Sequence, residues 1–145
     1  MLPTSRKGLI INRGMKTYWG DFFMGEVGTT KVYENEKIIV WEFTLEPGEE
    51  TPLHEHKHDY IFYIQNGSKL QVFGEGGNDL GTLDATTGSV FAFKVENGYL
   101  VSTDEKNLRV PVTHTAKNIG TSSYKEILVE TKNVFKQQTS SKDVS

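Results

Sequence analysis

The chain has 145 residues, 36% of them apolar and 24% charged, with 16 basic and 19 acidic residues giving a formal net charge of −3. That length suits one domain, its apolar and aromatic content exceeds that of a disordered chain, and no basic run supplies a nucleic-acid footprint. It has no cysteine, which excludes disulfides, thiolate metal sites and a cysteine nucleophile.

Taken in chain order, residues 1–29 form an N-terminal extension. Its first residues carry charge, but only Leu9-Ile10-Ile11 follow as an apolar patch. A secretory signal needs a longer apolar region, roughly 7–15 residues. No apolar run approaches the ~20 residues of a membrane span. The expectation is a cytoplasmic protein with neither membrane nor nucleic acid as partner. Residues 8–12 are a weak strand candidate. Residues 17–25 (TYWGDFFMG) crowd aromatics together, as either a barrel cover or a dimer contact would.

From residue 30 to 131 the dominant period is two. Residues 31–33 are a weak strand. In residues 39–45, Ile39, Trp41, Phe43 and Leu45 share one face, as in a half-buried strand. Residues 60–64 are continuously apolar and aromatic, as in a strand buried on both faces. Strands are also predicted at 69–73, 89–93, 99–102, 109–115 and 124–130. Turn signals separate them, among them Asn66-Gly67-Ser68, Asn97-Gly98 and the glycine-rich run 74–81. That run leads into no helix and lacks the lysine of a phosphate loop, so it reads as a hairpin turn. No stretch carries a helical stripe. Many short strands at regular spacing predict an all-β sandwich or barrel. Residues 132–145 read as a polar C-terminal tail.

The four histidines stand at 54, 56, 58 and 114. In an extended chain, residues i and i+2 face the same way, about 7 Å apart. Imidazoles so placed can converge on one ion at about 2.0–2.1 Å per bond. His54 and His56 meet that condition, and His114 can join them from a neighbouring strand. His54 and His58 lie about 13 Å apart if extended, so His58 falls outside the same ligand set unless the chain bends.

These residues carry a resemblance. Residues 48–67 are similar to the first motif of the cupin superfamily, G-x5-H-x-H-x3-E-x6-G, with Gly48, His54, His56 and Gly67 in place. His114 and Asn118, with Pro111 before them, resemble the later part of the second motif. Gly88 resembles its opening glycine, at the far side of an insertion over 94–108. The resemblance spans about residues 30–131. It implies a double-stranded β-helix, or jelly-roll barrel, with one divalent ion held inside by His54, His56 and His114.

Two departures matter. Tyr60 stands where the family has a glutamate ligand, and Asp59 faces the other way unless a bulge turns it in. Three neutral imidazoles leave the full charge of a divalent ion uncompensated, which favours anionic or enolisable chelating ligands. Tyr60 becomes the candidate catalytic group, by hydrogen bonding or proton transfer. His58, Asp59, Trp41 and Phe62 are candidates to back the ligands or touch a substrate. The 94–108 insertion reads as a surface hairpin near the site. Trp41, Phe43, Phe62, Leu70 and Val72 are candidate cavity liners, and Asn118 a turn residue.

The leading functional expectation is a small-molecule metalloenzyme resembling a three-histidine Fe(II) dioxygenase, with Zn(II), Mn(II) or Ni(II) fitting the same ligands. The alternatives are a metal-dependent isomerase or lyase, a non-catalytic ligand-binding or regulatory module, and a structural dimer with a vestigial site. A homodimer is expected from the resemblance.

Overall fold

The period-two alternation becomes eleven strands in the computed structural model, which describes residues 24–132. In chain order they are β1 (Thr30–Glu34), β2 (Ile38–Leu45), β3 (His54–Glu55), β4 (Asp59–Asn66), β5 (Ser68–Gly74), β6 (Asp79–Ala85), β7 (Val90–Glu96), β8 (Tyr99–Ser102), β9 (Arg109–Pro111), β10 (Thr113–Asn118) and β11 (Tyr124–Thr131). No helix occurs among the described residues, and so none long and apolar enough to cross a membrane. The weak strand at 8–12, most of the aromatic segment 17–25 and the tail beyond 132 lie outside the described residues.

A seven-stranded sheet runs β1-β2-β11-β4-β7-β8-β9, and a four-stranded sheet runs β3-β10-β5-β6. Every pairing is antiparallel. The inward faces meet over a core that includes Trp41, Phe62, Ile64, Leu70, Phe91, Phe93, Leu100, Tyr124 and Leu128. This is the two-sheet barrel that the strand pattern predicts.

Three local expectations are corrected. β4 is not buried on both faces: Tyr60, Phe62 and Ile64 point inward, while Ile61 and Tyr63 are 47% and 48% exposed. They join Val129 and Ile127 of β11, and Ala92 and Val90 of β7, on the sheet's outer surface. β6 escapes prediction because Gly81 and scattered charges break its pattern, yet its backbone pairs with β5 over most of its length. The 94–108 insertion is more than a surface hairpin. It carries β8 into the large sheet, with Leu100 only 1% exposed. Asn97 and Gly98 turn the chain with φ of 53° and 82°, the signature of a tight hairpin turn that favours Asn-Gly.

Gly67, between β4 and β5, answers to a backbone contact. A Cβ there would lie 2.1 Å from the Ala85 carbonyl oxygen, so no side chain fits without moving the strand. Asn118 is also more than a turn residue. It is wholly buried. Its Nδ2 donates to the Leu45 and Ser122 carbonyls, each at 2.8 Å. Its Oδ1 accepts the Ser68 hydroxyl at 2.7 Å and the Gly120 N–H at 2.9 Å. One amide thus ties the ends of β2, β5 and β10 together below the site. Asn118→Ala leaves the buried Leu45 carbonyl and three part-buried groups without this partner and is expected to lower stability by about 3 kcal/mol, read as the shift in urea unfolding midpoint at constant slope.

Candidate metal centre

Antiparallel pairing of β3 with β10 sets His54 directly opposite His114. The His56 N–H continues the ladder by donating to the Val112 carbonyl at 2.9 Å. Period two returns His56 to the face of His54. The three rings therefore meet, with centroids 4.7 Å apart for His54–His114, 5.0 Å for His54–His56 and 5.1 Å for His56–His114. One ring nitrogen from each lies within 4.8 Å of the others, and all three residues are buried.

The backbone fixes two of the tautomers. His54 Nδ1 lies 2.9 Å from the Pro52 carbonyl, and His114 Nδ1 lies 2.8 Å from the Pro111 carbonyl. A carbonyl only accepts, so each Nδ1 carries the proton and each Nε2 keeps a free lone pair. Carbonyl partners of this kind also orient ligating imidazoles. His56 Nδ1 is buried and has no hydrogen-bond partner, an orphan of the sort that marks an absent partner. This donor set fits a divalent ion.

Burial holds all three imidazoles neutral. It depresses His54 to about 3, with the neighbouring His114 adding to the effect and the Pro52 hydrogen bond opposing it. Burial, then His54 and His114, drives His56 well down. His114 is lowered by burial against the Pro111 hydrogen bond. Neutral imidazole is the ligating form.

Tyr60 joins the trio. Its ring stacks on His56 at 4.5 Å and 10°. Burial, then the nearby Glu126 and Glu130 carboxylates, push its hydroxyl well above the ordinary tyrosine value, so it stays a neutral phenol. Phe62 stacks behind Tyr60 at 6.0 Å. The other predicted neighbours go elsewhere. The Asp59 carboxylate accepts the Val95 N–H at 2.9 Å and is not one of the converging ligand groups. His58 and Trp41 border a second cavity with Glu55, Lys57 and Glu130, and Trp41 Nε1 donates to Glu130 Oε1 at 2.9 Å.

The trio opens into a cavity of about 100 Å³ between the sheets. Phe43, Phe62, Leu70 and Val72 line it as predicted, and Trp41 does not. Leu100 and Val110 add walls from the insertion and the strand after it. Sequence reasoning missed Tyr124 and Glu126, which also face this cavity. The Tyr124 hydroxyl donates to Glu126 Oε1. Burial raises Glu126 to about 8 against that hydrogen bond. The inward register of β11, residues 124, 126 and 128, was the available signal.

No family model matches the chain, and no curated protein matches it. Among solved structures it is similar to a cupin domain from Bordetella pertussis Tohama I, at 20% identity and a TM-score of 0.52, over 74% of this chain and 99% of that one. It is also similar to an RmlC-like cupin family protein with a double-stranded β-helix fold from Methanocaldococcus jannaschii, at 14% identity and a TM-score of 0.50, over 90% of this chain and 99% of that one. The likeness is one of fold, and the fold of this chain is the cupin double-stranded β-helix.

Two opposite pH dependences follow for the metal-free protein. The histidines have depressed values in the fold, so their contribution is whole above the ordinary 6.5 and is lost as pH falls toward the folded values. The urea midpoint is expected to fall as pH is lowered below about 6.5. Glu126 is raised above the ordinary 4.5, so its contribution is whole below that value and is lost as pH rises through about 8. Glu126→Gln is therefore expected to hold its midpoint between about pH 6 and about pH 9, where the parent protein declines.

Proposed function

We propose that this cupin-fold chain holds one divalent metal ion on His54, His56 and His114 and acts on a small anionic molecule in the adjoining cavity, with dioxygenase-like Fe(II) chemistry as the leading reading. The supporting observation is the convergence of three buried, neutral imidazoles, two with their tautomers set by backbone carbonyls. The absence of a cysteine suits a reducing, cytoplasmic setting.

When bound, such an ion supplies Lewis acidity and, for Fe(II), a centre for O2 chemistry. The chain's own residues do the rest. The carbonyls of Pro52 and Pro111 hold two ligand rings in place. Tyr60, stacked on His56, offers a neutral hydroxyl to a proton-accepting atom beside the ligands. Phe62, Phe93 and Leu100 keep bulk water from the cavity. Among the described residues no carboxylate belongs to the ligand group, so an anionic ligand balances the ion's charge.

Freshly purified protein is expected to carry close to one metal equivalent per chain, measured by elemental analysis. His54→Ala or His114→Ala is expected to weaken metal binding by roughly a hundredfold or more, beyond the usual loss for a supporting residue. Anaerobic Fe(II) loading followed by oxygen uptake with β-dicarbonyls, thiols and hydroxy acids tests turnover. Saturable binding without uptake would make the protein a ligand-binding module. Wild-type levels of metal in the histidine variants would end the metal reading.

A further inference from the structure

The interior holds two carboxyl groups that the metal site does not use. Glu126 and Glu130, both on β11, are 5% and 4% exposed. Glu130 is engaged by the Trp41 indole and borders the second cavity. Glu126 faces the same cavity as the trio. Among the described residues Tyr124 is its one hydrogen-bond partner, on Oε1. Among the described residues Oε2 has no hydrogen-bond partner.

The cavity therefore has two polar poles. His54, His56, His114 and Tyr60 form one. Glu126 and Tyr124 form the other, with Glu126 level with Ile64, four residues along β4 from Tyr60. Apolar side chains line the rest of the cavity, among them Leu70 and, opposite Glu126 on β2, Phe43. The volume of about 100 Å³ is below that of an apolar cavity of ~150 Å³ that admits benzene, so the enclosed part of an occupant has no more than about six non-hydrogen atoms.

We infer that Glu126 recognises the far end of a short oxo acid whose carboxylate lies at the histidine trio, by donating its carboxyl proton from Oε2 to the ligand's carbonyl oxygen. The inference rests on the metal-site reading above. The trio, charged by its ion, selects the anionic end. The far end needs an acceptor, because the Tyr124 hydroxyl already donates to Oε1 and the carboxyl proton sits on the other oxygen. Burial keeps that proton in place up to about pH 8 in the metal-free protein. The titratable groups sharing the cavity with Glu126 are Tyr124 on its own strand, Tyr60 on β4, His54 on β3, His56 in the following loop and His114 on β10. None is an acidic group that would compete for the donor.

The test uses the full chain loaded with Co(II), with metal content measured for the parent protein, Glu126→Gln and Glu126→Ala. Each is titrated calorimetrically at neutral pH with acetoacetate, 3-hydroxybutyrate and butyrate, which differ at one carbon. The parent is expected to bind acetoacetate about tenfold tighter than butyrate, as one buried hydrogen bond provides. Glu126→Gln, which keeps a neutral donor, retains most of that preference, and Glu126→Ala loses it, with Co(II) unchanged in both. Preference surviving in Glu126→Ala, no binding of acetoacetate by the Co(II)-loaded parent, or tighter binding of 3-hydroxybutyrate overturns the inference. Failure of the parent to take up Co(II) overturns the metal reading instead. If Glu126→Ala does not fold, alkaline titration decides. The parent's preference falls as Glu126 ionises while that of Glu126→Gln holds, and parallel profiles overturn the inference.

Discussion

The site depends on one register. β3 is two residues long, yet its pairing with β10 places His54 opposite His114. A one-residue slip would turn every side chain on the strand to the other face. Little in β3 itself resists such a slip. The restraint comes from its flanks: Gly25 N–H bonds the Leu53 carbonyl, Thr51 N–H bonds the Ala116 carbonyl, and His56 N–H bonds the Val112 carbonyl. Below them Asn118 fixes the far end of β10. The same backbone that sets the register presents the Pro52 and Pro111 carbonyls to the rings, so position and tautomer are settled together.

Electrostatics then separates the interior into two kinds of group. The imidazoles are neutral because burial penalises their charged form. Glu126 is held protonated by the same penalty. With the three imidazoles and the Tyr60 phenol neutral, the ligand group is primed for a cation. A divalent ion brings a strong charge into a low-dielectric space, and among the described residues no carboxylate converges with the imidazoles to balance it.

Much of this was legible in the sequence. Three histidines on a two-residue period, with a fourth on a distant strand-like segment, announced the trio because period two fixes side-chain direction without knowledge of the fold. Asn97-Gly98 announced its hairpin for an equally local reason. What was not legible depended on the neighbouring sheet. Trp41 shares a face with Phe43, but only Phe43 reaches the cavity, because the two stand at different heights of the barrel. Asp59 could not be assigned until β7 supplied Val95 as its partner. Residues 60–64 read as doubly buried because Ile61 and Tyr63 are apolar, whereas they sit on the outer face.

β11 shows the same problem in its sharpest form. Its sequence, YKEILVET, would keep both glutamates out of the core by turning Ile127 and Val129 inward. The fold does the reverse. Tyr124, Glu126, Leu128 and Glu130 are buried, and Ile127 and Val129 lie on the outer face beside Ile61 and Tyr63. Pairing with β2 and β4 along the whole strand enforces that choice. Two carboxyl groups in the core oppose stability, since each must be desolvated and neutralised or hydrogen-bonded. Glu130 is compensated by the Trp41 indole. Glu126 is only half compensated by Tyr124, and the residue lines the cavity. A position that breaks the binary pattern and leaves a polar atom for an occupant follows the logic of a binding site rather than that of a core.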